Sequence, residues 1–369
     1  MSEKIYKSLI AFHPGSYIGD IIDDMEITQS EFAKRLDTTD KTLSQLINGL
    51  IPLSKDIAKK LSKLTGTSVG LWLNLQKKYD EKCLEIEQKQ QLDIELSYLS
   101  VLNYGYFKKL NVVPETTNKE EQIKYLCKYL QVSSLRVLAN SDLLVACKTA
   151  INHIEEKNIV CANAWIQTGM NIAKSMDCSK YSKIKLKAIL PKLRSMTLQD
   201  TSVFYPKIVK MLASCGIALV ALPYLKNSGL NGAVKWINSD KVLLLINDRN
   251  KDAGTFWFAL FHEIGHILQG QKKNIYLTSN DKVLSLGINN IANEVEADNF
   301  AQEILIPEIK YKQFIQSSSF NRYSIVDFAN KIQILPAIVL GRLQHDGYLN
   351  WNAYSDLKLK YFITTTKTL

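Results

Sequence analysis

"FWFALFHEIGHILQG", residues 256–270, places two of the chain's five histidines four positions apart, with a glutamate directly after the first. On an α-helix, residues at i and i+4 lie one above the other on the same face. His262 and His266 can therefore aim ring nitrogens at a single point, while Leu260, Phe261, Ile264, Ile267 and Leu268 form an apolar stripe that buries the rest of the helix. Two core histidines bonded to backbone would share this spacing. A second helical stretch, "NEVEADNFA" (293–301), tips the balance, because it supplies Glu294 and, one turn later, Asp298.

Two imidazoles and a carboxylate are a usual protein ligand set of hydrolytic zinc, whose fourth position stays open for water. Glu294 is the natural third ligand and Glu296, elsewhere on the same helix, the second choice. Asp298 is then placed to accept a hydrogen bond from a histidine's other nitrogen and so hold its tautomer. Glu263 follows the first ligand by one residue, close enough to take a proton from a water at the site without binding the ion. This is the H-E-x-x-H pattern of zinc peptidase helices. For the developing oxyanion, Arg249 in "INDRNK" and His345 in "GRLQHDGYL" are the candidates, with purely structural roles as the alternative.

Upstream of this helix the texture is that of strands. "GIALVALPYL" (216–225) and "KVLLLIND" (241–248) are short apolar runs bounded by Gly, Asn, Asp and Pro, and "LNGAVKWI" (230–237) fits between them as a third. Strands beside two long helices predict a small α+β domain over 201–369. Residues 81–200 read as helical and poor in glycine. Their opening, "DEKCLEIEQKQQLDIELSYL" (80–99), fits a polar linker helix or a dimer seam.

Residues 1–80 predict a third, all-α region. "TQSEFAKRLDTTDKTLSQLINGL" (28–50) has the build of a helix-turn-helix, with helix starts at Thr28–Gln29 and near Thr39 and a turn at Asp37. The start of the second helix in such a pair enters the major groove. Thr39, Asp40, Lys41, Thr42 and Ser44 are the candidate base or phosphate contacts, with Gln29 and Asn48 at the backbone. A protein-interaction module of three helices is the competing reading. It is favoured by charge, since residues 1–80 hold 11 basic and 10 acidic side chains, and Asp40 would repel phosphate. A dimer would double the contacts. The chain as a whole carries a net charge of +10, with its densest basic run at "KYSKIKLKAILPKLR" (180–194), for which a solvated helix face is the plain explanation.

The six cysteines form no C-x-x-C pair, so they read as reduced, mostly buried thiols rather than a zinc ribbon or a disulfide framework. An apolar run long enough to span a bilayer and a secretory leader are both missing, which predicts a cytoplasmic protein with no membrane partner.

With these residues set out, two family likenesses stand out. Residues 13–80, through "HPG", "INGL" and "WLNLQKKYD", resemble the HigA-type antidote proteins, regulators of the XRE helix-turn-helix class. That likeness implies operator DNA as a partner, a homodimer and a cognate toxin. It departs from the usual pattern at Asp40 and Leu50. Residues from about 205 onward, through "NGAVKWI", "FWFALFHEIGHIL", "NEVEADNFAQEILIP" and "VLGRLQHDGYL", resemble the ImmA/IrrE metallopeptidases. That likeness implies a zincin-like fold, a zinc ion on His262, His266 and Glu294, Glu263 as the catalytic carboxylate, and a repressor-type protein, or the chain itself, as substrate. "QGQKKN" departs from a further histidine often found there. The fold expected is therefore multidomain: helix-turn-helix over 1–80, a helical middle over 81–200, and a zincin-like metallopeptidase domain over 201–369.

Overall fold

A computed structural model describes residues 3–140, 155–247, 252–270, 275–279, 291–317 and 319–361. They group into two compact units, Met1–Ser97 and Tyr98–Leu369.

The first unit opens with an antiparallel hairpin, β1 (Glu3–Tyr6) and β2 (Leu9–Phe12), outside the helical pattern of this region. Helices α1 (Pro14–Asp24), α2 (Gln29–Arg35), α3 (Asp40–Ile47), α4 (Lys55–Thr65) and α5 (Val69–Leu102) follow. Three of them start the same way: Thr28, Thr39 and Ser54 each accept a hydrogen bond from the backbone N–H three residues on, satisfying a donor the helix itself cannot. The buried side chains Ile18, Phe32, Leu36, Leu43, Leu46, Leu61 and Trp72 make one core.

The "HPG" triplet has a mechanical reason. His13 caps α1 by accepting from Gly15 N at 3.0 Å, and Pro14 sets the first helical turn. A Cβ on Gly15 would lie 2.0 Å from the carbonyl oxygen of Leu46, so only glycine lets α1 cross the end of α3. In "WLNLQKKYD", Trp72 Nε1 donates to Thr67 Oγ1 at 2.7 Å, and Gln76 Oε1 accepts from Leu53 N at 2.8 Å. The stretch expected as a linker or a dimer seam is the continuation of α5. Its acids hold the hairpin, with Glu87 2.7 Å from Lys4 and Asp93 accepting from Tyr6 at 2.6 Å.

The second unit packs helices on both faces of a mixed sheet. After α6 (Tyr104–Lys109), α7 (Lys119–Leu130), α8 (Glu156–Ser175), α9 (Lys183–Ser195) and α10 (Thr201–Ala213) come β3 (Ile217–Leu222), β4 (Leu230–Asn238), β5 (Lys241–Asn247), α11 (Ala253–Gln269) and β6 (Ile275–Ser279). Then follow α12 (Ile291–Leu305), α13 (Glu308–Ser317), α14 (Arg322–Lys331) and α15 (Pro336–His345). The strand order is β3-β5-β4-β6, with β3 parallel to β5 and the other pairs antiparallel.

Side chains alternate across a strand, and here both sides are buried. Ile217, Leu219, Val242, Leu244, Ile246, Val234 and Trp236 join the core that holds α11. The opposite face, with Leu243 and Leu245, lies under α8, where a Cβ on Gly169 would come within 2.8 Å of Leu245. This two-sided burial explains the near-continuous apolar text of β3 and β5. α8, from the helical stretch before residue 200, thus supplies the layer on one face of the sheet.

Two polar devices fix helix ends in this unit. Arg194 donates to the carbonyls of Ile304 at 2.8 Å, Leu305 at 3.0 Å and Ile332 at 2.8 Å, satisfying the ends of α12 and α14. At the start of α11, Asp252 Oδ2 accepts from Thr255 N at 3.0 Å, Ala253 N donates to Leu359 O at 2.8 Å, and Trp257 Nε1 donates to the buried Tyr361 hydroxyl at 3.0 Å. Among the described residues no single helix is long and apolar enough to cross a membrane. Of the described cysteines, Cys161 and Cys215 are buried while Cys83, Cys127 and Cys178 are half-buried, and all are free thiols. Burial pushes the Cys161 thiol up to about 12, so it is inert as a nucleophile.

Candidate metal centre and helix-turn-helix surface

The site forms where α11 crosses α12. The crossing is close because the facing residues are small: a Cβ on Gly265 would lie 3.1 Å from the Cα of Ala297. That proximity brings the histidine face of α11 against the Glu294–Asp298 face of α12. His262 Nε2 and His266 Nε2 are 2.9 Å apart, Glu294 Oε1 is 3.1 Å from His266 Nε2, and Glu294 Oε2 is 3.5 Å from His262 Nε2. All three side chains present a ligand atom within 4.8 Å of the others.

The opposite edges of the imidazoles decide what those Nε2 atoms carry. His262 Nδ1 lies 2.8 Å from Asp298 Oδ1, and an ionised carboxylate can only accept, so Nδ1 carries the proton. His266 Nδ1 lies 3.2 Å from Gln269 Oε1. The orientation of that amide is fixed because its Nε2 donates to the Asn293 carbonyl at 2.7 Å. With both Nδ1 atoms protonated, two Nε2 lone pairs and a carboxylate converge, which is a demand for positive charge at their centre. Burial works against a charge on His262, yet Asp298 and Glu294 together raise its pKa to about 10. Burial likewise opposes ionisation of Glu294, but hydrogen bonds from His262 and His266 hold its carboxyl down at about 2.

A divalent cation answers the same demand. A tetrahedral ion about 2.0–2.1 Å from each ligand holds them about 3.3 Å apart, and the 2.9–3.5 Å separations straddle that distance. Neutral imidazole nitrogen with carboxylate oxygen suits zinc and its first-row neighbours rather than calcium or magnesium. The residues present fit the ion.

Glu263 is fully buried and its carboxylate lies along β4, where a Cβ on Gly232 would sit 2.2 Å from Oε1. A glycine inside a strand is a sequence signal for such close approach, and "LNGAVKWI" contained it. Gln269 was likewise absent from the candidate residues, although it stands three positions after His266 on the same helix. Glu296 is exposed and stays outside the His-His-Glu cluster. His345 is exposed too, with Nδ1 3.1 Å from Asp346 Oδ1 in a group that includes Arg342 and Tyr311. Arg249 lies outside the described residues.

In the first unit, Gln29, Thr39, Asp40, Lys41 and Asn48 are exposed, and Thr42 and Ser44 half-exposed, at the outer side of α2 and α3. Several already have internal partners. Thr39 Oγ1 accepts from Thr42 N at 3.1 Å, and Asn48 Nδ2 donates to Ser44 O at 2.8 Å. Asp40 accepts from Ser30 Oγ at 3.0 Å and so ties the two helices together, which gives this carboxylate a task other than meeting DNA.

Fold and site together define a helix-turn-helix unit joined to an α+β unit with a two-helix His-His-Glu centre. The helix-turn-helix family model matches residues 21–72, and the IrrE N-terminal-like domain of the M78 peptidases matches residues 224–343. The uncharacterized HTH-type transcriptional regulator YddM of Escherichia coli (strain K12) is 31% identical over 83 residues, 21% of this chain and 88% of that protein. Virulence-associated protein A' of Dichelobacter nodosus is 45% identical over 69 residues, 18% of this chain and 60% of that protein. Among solved structures, a putative antidote protein of a plasmid maintenance system from Nostoc punctiforme is 37% identical, covering 22% of this chain and 91% of its own, with a TM-score of 0.22. The chain belongs to the XRE-type helix-turn-helix family through its first unit and carries an IrrE-like domain in its second.

Proposed function

We propose that the second unit is a zinc-dependent metallo-endopeptidase that cleaves a regulatory protein, or the chain itself, and that the first unit binds operator DNA as part of a homodimer. The observation that carries this reading is the pair of converging Nε2 atoms, each with its Nδ1 proton directed at a neighbouring acceptor. His262, His266 and Glu294 would hold the ion, and Asp298 and Gln269 would fix the imidazoles. When bound, the ion would polarise the scissile carbonyl and make a water at the open position more acidic. Glu263 would take a proton from the attacking water as its oxygen bonds to the scissile carbonyl carbon, and return that proton to the amine that leaves as the C–N bond breaks. The Glu263 side chain is buried against β4, beside Gly232. Tethering the peptidase to a DNA-bound unit raises its local concentration near an operator-bound substrate.

The test is metal analysis with cleavage assays on the wild type and Glu263→Ala, using the chain itself and neighbouring regulators as substrates. Equal zinc in both proteins, with proteolysis by the wild type alone, is the expected result. Zinc in both with cleavage by neither removes the enzyme reading. It leaves an antitoxin or repressor whose metallopeptidase fold engages a ligand or a partner toxin without proteolysis.

A further inference from the structure

The positive charge of this chain does not sit on its helix-turn-helix. Residues 1–97 hold 13 basic and 15 acidic side chains, a net −2, whereas residues 98–369 hold 33 and 21, a net +12. More than half of that surplus is in residues 180–215, with eight basic side chains against the single acid Asp200. Asp200 caps α10, accepting from Ser202 N at 2.9 Å. Two of the eight cations are engaged, Arg194 by backbone carbonyls and Lys180 at 4.0 Å from Asp240. The other six, Lys183, Lys185, Lys187, Lys192, Lys207 and Lys210, are exposed and enter no ion pair among the described residues. Elsewhere exposed lysines do find acids, as Lys312 does in Glu308 and Lys331 in Asp327.

The fold directs these six outward. Leu186, Leu190 and Leu193 of α9 and Phe204, Ile208 and Leu212 of α10 enter the same core. The two helices touch, so their exposed lysines lie on the solvent sides flanking this shared core. We propose that the outer faces of α9 and α10 bind the phosphate backbone of duplex DNA. Phosphate contacts supply most of the sequence-independent affinity of a DNA-binding protein, and the first unit has no surplus charge with which to make them. In this division the α2–α3 face selects sequence, and α9–α10 add attraction that is indifferent to it. The proposal relies on the DNA-binding reading of the first unit and not on the metal centre.

The test uses the full chain on a random-sequence duplex, with affinity followed by fluorescence anisotropy across a salt series. Lys185→Gln/Lys187→Gln/Lys192→Gln/Lys210→Gln should lower the slope of log K against log salt by about 0.9 for each phosphate no longer neutralised, roughly 2–4 in all, and weaken binding at least about tenfold. The matching Lys→Arg set should keep the wild-type slope, which separates charge from folding damage. A quadruple Gln variant whose slope stays within about 0.5 of wild type overturns the proposal. So does binding of the wild type to phosphatidylserine vesicles with no change on DNA, a result that Ile184, 83% exposed beside the lysines, would then explain. Lys41→Gln is measured in parallel on operator DNA, where its failure speaks to the first unit alone.

Discussion

Gln269 shows how much of this site rests on a residue that binds nothing itself. Its amide oxygen accepts a hydrogen bond from Nδ1 of His266 and its amide nitrogen is anchored on the Asn293 carbonyl, so one side chain sets that imidazole's tautomer and joins the two site helices. Gln269→Leu should leave that proton without an acceptor and weaken zinc about 10–100-fold in a chelator competition, with Asp298→Ala doing the same through His262. Unchanged zinc affinity in both variants would mean that helix packing alone orients the rings. Gly232→Ala would separate ion holding from chemistry: the new methyl displaces the Glu263 carboxylate, so on the proposed reading zinc should stay bound while peptide cleavage should fall by at least about 100-fold.

Protonation gives an independent reading of the same residues. His262 is raised to about 10, so without an ion it keeps its second proton at neutral pH, and a cation must expel it to bind. Affinity for zinc should therefore rise about tenfold per pH unit from neutrality towards that value, with about one proton released per ion in calorimetry across buffers of different ionisation heat. Binding that is flat with pH over this range would place the proton elsewhere.

At the scale of elements, the crossing of α1 over α3 depends on a missing side chain. Gly15→Ala drives a methyl into the Leu46 carbonyl and should destabilise the first unit by about 2 kcal/mol or more, seen as a lowered melting temperature. Elements also differ in how plainly the sequence announces them. Thr28 and Thr39 marked helix starts because caps are local chemistry, and the α11 histidines were visible because their spacing is helical. The β1–β2 hairpin was hidden because four-residue strands held by Glu87 and Asp93 depend on partners more than 80 positions away. Gly232 was hidden because it matters only through Glu263 on another element, and Gln269 because the Asn293 carbonyl that fixes its amide lies on α12. The preference for Glu294 over Glu296 followed from helical periodicity; in the structure Glu296 is exposed and lies outside the His-His-Glu cluster.

Across the whole molecule, the sheet is the part that cannot be divided. With α8 removed, the face bearing Leu243 and Leu245 would be open to water. A fragment of residues 201–369 should consequently aggregate on expression, whereas 98–369 should remain soluble and bind zinc. A soluble, zinc-binding 201–369 fragment would show that the helical stretch before it is an accessory.

Zinc stoichiometry and coordination, read by X-ray absorption on the purified full chain and on Glu294→Ala, test the central claim most directly. One ion per chain in the wild type, with two imidazole nitrogens and a carboxylate oxygen as protein ligands, and loss of the carboxylate signal together with weakened binding in the variant, is the result predicted. An ion held equally well by Glu294→Ala, or held by sulfur, would contradict it.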